Sequence, residues 1–327
     1  MARHCKLFLT SLLVSAIVAL ASCHGGPSVT GAFDRDYTVT GPVHLELTNG
    51  SGDVDIAGSA DGKVHVHGQV HISGMGFGNS QKRLDDTVAN PPIEQKGATI
   101  RIGREVSNMR NISIAYTIQV PHDTEVGASV ASGAPTIRGL RGPVKVQTAS
   151  GAIRVEGIDR DAQLTTASGA VSASDVGDDV RISSISGSVN VLNTKGDVRV
   201  NNRSGVIQIA HPGGRIEAES ASGAVEIQGA SNDVRARTAS SRVTIQGTPA
   251  ANSYWELKTV SGSIQLRVPA AANFHLSAQS VSGEIRTDIP IMVEEQGKHS
   301  LRARMGNGGA RVDVQTASGE IHVNGSN

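Results

Sequence analysis

One interval dominates this sequence. Gly133, Gly151, Gly169, Gly187, Gly205 and Gly223 follow one another every 18 residues, and Ser241 fills the next slot. Around each glycine the same short phrase returns: ASGAIRV at 149–155, ASGAVSA at 167–173, ISGSVNV at 185–191, ASGAVEI at 221–227, and once more ASGEIHV at 317–323. A fixed period of this length is the mark of a repeat architecture, in which each unit is too small to bury its own apolar face and stacks on its neighbours.

Within a unit the hydrophobic pattern fixes the secondary structure. Counted from the repeat glycine, apolar residues sit at −7, −5, −2, +2 and +4, as in Val144, Val146, Ala149, Ile153 and Val155. Alternation of this kind predicts two short strands per unit, one on each side of the Ser-Gly corner. Stacking of units lets every backbone group pair at about 4.8 Å per rung. The expected fold is therefore all-β: a single-stranded parallel β-solenoid (β-helix or β-roll) of 18-residue rungs, roughly a dozen of them, right-handed by the general chirality of parallel crossovers. Glycine at the corner supplies a backbone able to take positive φ. The serine before it, from Ser132 and Ser150 to Ser318, is expected to form a ladder of hydroxyls, with a second Ser/Thr ladder at Thr148, Thr166 and Ser184. Where Ser241 replaces glycine the corner must strain or change type.

Outside the regular run the pattern loosens. Val43, Leu45, Leu47, Val54 and Ile56 form a first copy of the repeat, and Val64, Val66, Val70 and Ile72 an alternating strand interrupted by Gly68. Residues 73–92 show no periodicity and carry several Gly and Pro, which predicts a long surface loop. Strand periodicity resumes at Ile100 and Ile102 and from Ile112 to Val120, where Pro121 ends it. After Ser241 the spacing stretches to 21 residues twice, and Gly283 to Gly319 spans 36, two units with a degenerate copy between. The chain divides into a leader (1–22), a tether (23–38), N-terminal rungs with their loop (39–125) and a regular solenoid (126–323) with a degenerate rung at 288–310.

The leader is an address. Arg3 and Lys6 give it a positive start, and residues 7–20 an apolar stretch too short for a membrane span. It runs into Leu20-Ala21-Ser22-Cys23, a tetrad that resembles the bacterial lipobox, which would make Cys23 the lipidated N-terminus and the membrane its first partner. Cys5 leaves with the leader, so the mature chain has no internal disulfide to form. Formal net charge is zero and aromatic residues make up 2%. Neither the basic surplus nor the stacking platforms of a nucleic-acid binder are present.

Residues 114–155, IAYTIQVPHDTEVGASVASGAPTIRGLRGPVKVQTASGAIRV, resemble the bacterial adhesin-like domain family of unknown function built from β-strand repeats, in which a strand ending in Val-Pro leads into successive Ser-Gly units. The resemblance spans roughly residues 39–323 and includes the late copy LRVPAAANFHLSAQSVSGEIRT at 266–287. It implies a β-solenoid on an extracytoplasmic lipoprotein or membrane protein, and it brings no catalytic residues with it.

Three constellations are candidates for chemistry. Asp161, Asp179 and Asp197 recur ten residues after successive repeat glycines, with Arg215 and Asp233 in the next slots. Stacked carboxylates roughly 5 Å apart repel unless screened or bridged, and calcium is the natural bridge, although aspartate also caps tight turns unaided. His65, His67 and His71 share one face of a strand and form a candidate zinc or copper set, against solvated surface histidines. Lys145, Arg181, Arg199 and Arg235 form a basic stripe at −6, broken by Gln163 and Glu217, that could meet an anionic glycan or lipid head group. An arrangement of Asp161, Asp178, Asp179 and Arg181 is the nearest approach to a polysaccharide-cleaving β-helix. No cofactor is implied. The expected function is a non-enzymatic, lipid-anchored envelope or surface protein, outer membrane or cell surface, that binds a glycan or protein or serves as a scaffold. The alternatives are a β-helix enzyme acting on polysaccharide and a calcium-stabilised adhesive roll.

Overall fold

The computed structural model describes residues 28–74, 77–103 and 111–326. The leader, Cys23 and the start of the tether therefore lie outside the described residues. Two long sheets make up nearly everything else, one of 14 strands (sheet A) and one of 15 (sheet B). Each 18-residue unit gives one strand to each: Val144–Ser150 to B and Ile153–Ile158 to A, then Ala162–Ser168 to B and Val171–Val176 to A. Successive units pair in parallel with an 18-residue offset, so that Val144, Ala162, Val180 and Val198 stack in one column. The two-sheet β-solenoid expected from the glycine period is the fold observed, with twelve two-strand rungs among the described residues.

The core is a narrow file of aliphatic side chains between the sheets. Val144, Val146, Ile153, Val155 and their copies through the regular run are essentially inaccessible. Position −2 does not belong to it. Ile185 is 51% exposed, Val260 58% and Val281 74%. Strand parity carries the inward set through −7, −5 and −3, and the −3 residues Thr148, Thr166 and Ser184 are the buried ones. The corner serines are also placed differently from expectation: Ser150, Ser168 and Ser186 face solvent. Backbone bonds link the rungs there, Gly151 N–H donating to the Ser168 carbonyl at 2.9 Å and Gly169 N–H to Ser186 at 3.0 Å.

Both ends depart from simple stacking. The first rung in sequence, His44–Ser51 with Val54–Ser59, is the second in space. Thr99–Ile102 and Ile112–Pro121 cover its outer side, while Glu125–Ser132 and Pro135–Leu140 stack on its inner side. At the other end the last rung in sequence, Ala310–Thr316 with Ile321–Gly325, inserts between the rung of Tyr254–Thr259 and that of Phe274–Ser280. The expected degenerate rung at 288–310 is therefore no rung. Met292–Gln296 and Ser300–Met305 form an antiparallel hairpin that lies against Phe274–Ser280 and closes sheet B.

Three further segments differ from the sequence expectation. Ser28–Thr38 is not tether but an edge strand, antiparallel to Lys63–Ser73. Lys63–Ser73 itself runs through Gly68 without interruption, because the missing side chain there makes room for the Phe33 ring: a Cβ would sit 2.1 Å from it. Residues 73–92 hold a helix, Phe77–Ala89, rather than an open loop. Among its described side chains, Leu84 and Val88, one turn apart, pack over Gly31. The Arg35 guanidinium caps its end by donating to the carbonyls of Val88 (3.1 Å) and Ala89 (2.9 Å).

Candidate functional site

The exposed −2 position creates a long surface trough. Residues at −4 and −2 both point outward from sheet B, on either side of the inward −3 residue, just where the chain bends into the corner. Repetition turns this local concavity into a trough of about 970 Å³ that runs across seven rungs, from Thr48 to Glu219. Its floor carries Ala149, Ala167 and Ile185, and its wall Gln147, Thr165, Ser183 and Asn201. From Glu219 onward a second trough of about 740 Å³ continues along the same corner past Arg237, Lys258 and Val260. Assigning −2 to the interior hid this surface from sequence reasoning; the signal available was strict strand parity, which makes −3 rather than −2 the inward position.

The corner beneath the trough exists in two forms. In the first, Gly133, Gly151, Gly169, Gly187 and Gly205 have φ between 117° and 149°. Here the hydroxyls of Thr148, Thr166 and Ser184 are buried and have no hydrogen-bond partner. In the second, the −3 hydroxyl closes the turn: Gly223 N–H donates to Ser220 Oγ at 2.8 Å and Gly283 N–H to Ser280 Oγ at 2.7 Å, while Thr238 Oγ1 donates to the Gly223 carbonyl at 2.9 Å. Neither Gly223, Gly262, Gly283 nor Ser241 has positive φ. The corner at Ser241 thus has the second form, one rung after the change begins at Gly223.

The aspartate column is brought together at the second corner, where the carboxylates serve the backbone. Asp179 Oδ1 accepts from the N–H of Asp197 at 2.9 Å, Asp197 Oδ1 from that of Arg215 at 2.8 Å, and Asp233 Oδ1 from that of Tyr254 at 2.9 Å. Each acid thereby ties its own rung to the next. Arg181 lies between Asp179 (2.7 Å) and Asp161 (3.8 Å), which sets the would-be catalytic group in a surface ion-pair ladder.

The three histidines do project outward from their strand, but apart from one another. His65 Nδ1 meets Asp36 at 2.6 Å and its Nε2 meets Asp61 at 2.5 Å; His67 Nδ1 meets Asp34 at 2.8 Å. His71 stands at the far end beside Ser73 and Asn111. Among the described residues no group of three or more His, Cys, Asp or Glu side chains has metal-binding geometry. The hydrogen bond to Asp36, and then that to Asp61, hold the His65 pKa above the usual imidazole value.

The basic stripe forms one column, with Lys145, Gln163, Arg181, Arg199, Glu217 and Arg235 in register and Glu256 next. Its cations are largely neutralised: Arg199 pairs with Glu217 at 2.7 Å and Arg235 with Glu256 at 3.1 Å. Glu256 is the notable member, with its side chain only 8% exposed and held also by Arg237 (2.7 Å) and Lys258 (2.5 Å). Burial pushes its pKa up, and the hydrogen bonds from Lys258 and Arg237 outweigh burial and leave it below the ordinary carboxylate value.

Comparison with known proteins places this architecture. The family model described as Toastrack DUF4097 matches residues 43–253 and again 215–324. Two solved structures are similar: a candidate cell adhesion protein from Clostridium sporogenes, 10% identical, covering 91% of this chain and 100% of that one with a TM-score of 0.25, and a candidate adhesin from Bacteroides fragilis, 14% identical, covering 90% and 97% with a TM-score of 0.25. No curated protein matches.

Proposed function

The chain belongs to the Toastrack DUF4097 family, and on that premise we propose that it is a lipid-anchored, non-enzymatic protein of the cell envelope or surface, a rigid module that binds along its length. The observation that carries this reading is the corner trough, an open surface repeated rung by rung. Such a surface suits holding an elongated partner; catalysis asks instead for a few groups converging on one reacting atom. The leader ending in Leu20-Ala21-Ser22-Cys23 supports extracytoplasmic anchoring through the cysteine. The corner serines support the non-enzymatic reading, since each is one of a repeated row facing solvent and none is singled out.

Fatty-acid labelling and fractionation of cells expressing the full chain test the anchor. Label is expected in the membrane fraction and lost in Cys23→Ala, and a chain that fractionates identically without Cys23 overturns it. Reducing-end release from a polysaccharide panel tests the rest. No turnover is expected, and turnover abolished by Asp179→Asn would replace this reading with that of a β-helix enzyme.

A further inference from the structure

The trough carries enough chemistry to name a class of ligand. We propose that it binds a neutral polysaccharide lying along the solenoid axis, an inference that rests on the binding-module reading above. Seven rungs at about 4.8 Å give a bed of roughly 29 Å. Over the first five of them, from Thr48 to Ile185, no charged side chain lines it. This neutrality is local, because two residues away on the same strands the −6 column carries Glu46, Lys145 and Arg181. A polyanion finds no cation in this stretch and a polycation no acid.

The wall is also unspent. Among the described residues the side chains of Gln147, Thr165, Ser183 and Asn201 make no hydrogen bond within the protein, while Arg181, Arg199 and Glu217 beside them are paired. Under the floor, Thr148, Thr166 and Ser184 are more than nine-tenths buried, line the same trough and have unused hydroxyls. Rows of free amides and hydroxyls at a constant pitch, beside a strip of methyl groups, match a polymer that repeats hydroxyls along its edges and C–H groups on its faces. An extended peptide fits less well. The backbone of these strands is committed to the inter-rung ladder, so none is left for main-chain recognition, and the alanine floor has no recess for a side chain.

Affinity electrophoresis of the detergent-solubilised full chain tests this, with dextran, mannan and a soluble β-glucan as neutral probes, alginate as the anionic one and polyproline as the peptide. At least one neutral polymer is expected to retard the protein. Ala149→Glu with Ala167→Glu, both at exposed positions, is expected to weaken that retardation at least tenfold without moving the thermal midpoint. Gln147→Ala with Asn201→Ala is expected to weaken it severalfold, and Arg154→Glu, on the opposite sheet, to leave it intact. Wild-type protein ignored by every neutral polymer, retarded only by alginate or polyproline, or matched by both trough variants overturns the proposal. Release of reducing ends from the bound polymer, or absence of acylation at Cys23, would unseat the reading of the previous section and leave the trough assignment standing.

Discussion

Gly169 shows what the repeat glycine is for. Its φ is 142°, and a Cβ on it would lie 2.1 Å from the Gly151 carbonyl oxygen of the rung below. Close stacking and an unusual backbone angle exclude every other residue there at once. Gly169→Ala is expected to cost roughly 3 kcal/mol in denaturant unfolding. Gly97→Ala, where φ is 60° but no atom lies within 4 Å, should cost only about 1 kcal/mol. Equal costs would mean that the stacked carbonyl is irrelevant. This column was legible because one residue type satisfies it. A second column with the same period was not: Gly139, Gly157, Asp175, Asn193, His211 and Gly229 all have φ between 51° and 77°. Left-handed backbone of this kind tolerates Asn, Asp and His as well as Gly, so chemically unlike residues conceal one conformation. Hydropathy hid the trough in a similar way. Ala149 reads as core and Thr148 as surface, yet the parity of the strand turns Thr148 inward and Ala149 outward.

At the scale of elements, the N-terminal strand pair shows an electrostatic latch. Ser28–Thr38 is the outermost strand of sheet A and is joined to Lys63–Ser73 by Asp36–His65 and Asp34–His67 contacts as well as by the ladder. The raised pKa of His65 means that its contribution is fully present below the unfolded-state value and is lost as pH rises through the higher folded-state value. Asp61, whose pKa is lowered first of all by the hydrogen bond with His65, contributes in the opposite sense: its share is present above the unfolded-state value and is lost as pH falls through the lowered one. The contact is therefore strongest in mildly acidic solution, between those limits. Hydrogen exchange of residues 28–38 should accelerate, beyond the intrinsic chemical effect, as pH rises above the ordinary imidazole value of about 6.5, and His65→Gln should remove that excess. A pH-independent excess in both proteins would show that the histidine contact is incidental. The strand itself was hard to see in the sequence. In SVTGAFDRDYT only Phe33 is fully buried, because the outer strand of a sheet has a single packed neighbour and needs little hydrophobic alternation. The helix Phe77–Ala89 was concealed for a related reason: among its described side chains only Leu84 and Val88 pack over Gly31, too few to show a period.

Over the whole molecule, the two ends use one device. The first and last sequence rungs are each gripped from both sides rather than left at the ends of the stack. An open end would present unpaired strand edges and one unshielded face of the core, and inserting the final rung leaves the chain terminus with two partners. The sequence shows the last repeat clearly, in ASGEIHV, but its place in the stack depends on where residues 288–309 lead the chain, which no local periodicity records. Solenoid stability is close to a sum of nearest-neighbour interfaces, so spatial order has a measurable signature. Deleting residues 310–327 removes the layer between Tyr254–Val268 and Phe274–Thr287. Hydrogen-exchange protection should then fall in both flanking rungs, including Trp255 and Leu257, which are fully buried and lie more than 50 residues before the cut. The rungs around Gly151, Gly169 and Gly187 should keep theirs, since no contact with the deleted layer reaches them. A rung stacked in sequence order would behave differently: its removal would strip protection from its immediate predecessors at 274–305 and leave Trp255 unchanged, and that outcome would refute the inserted arrangement.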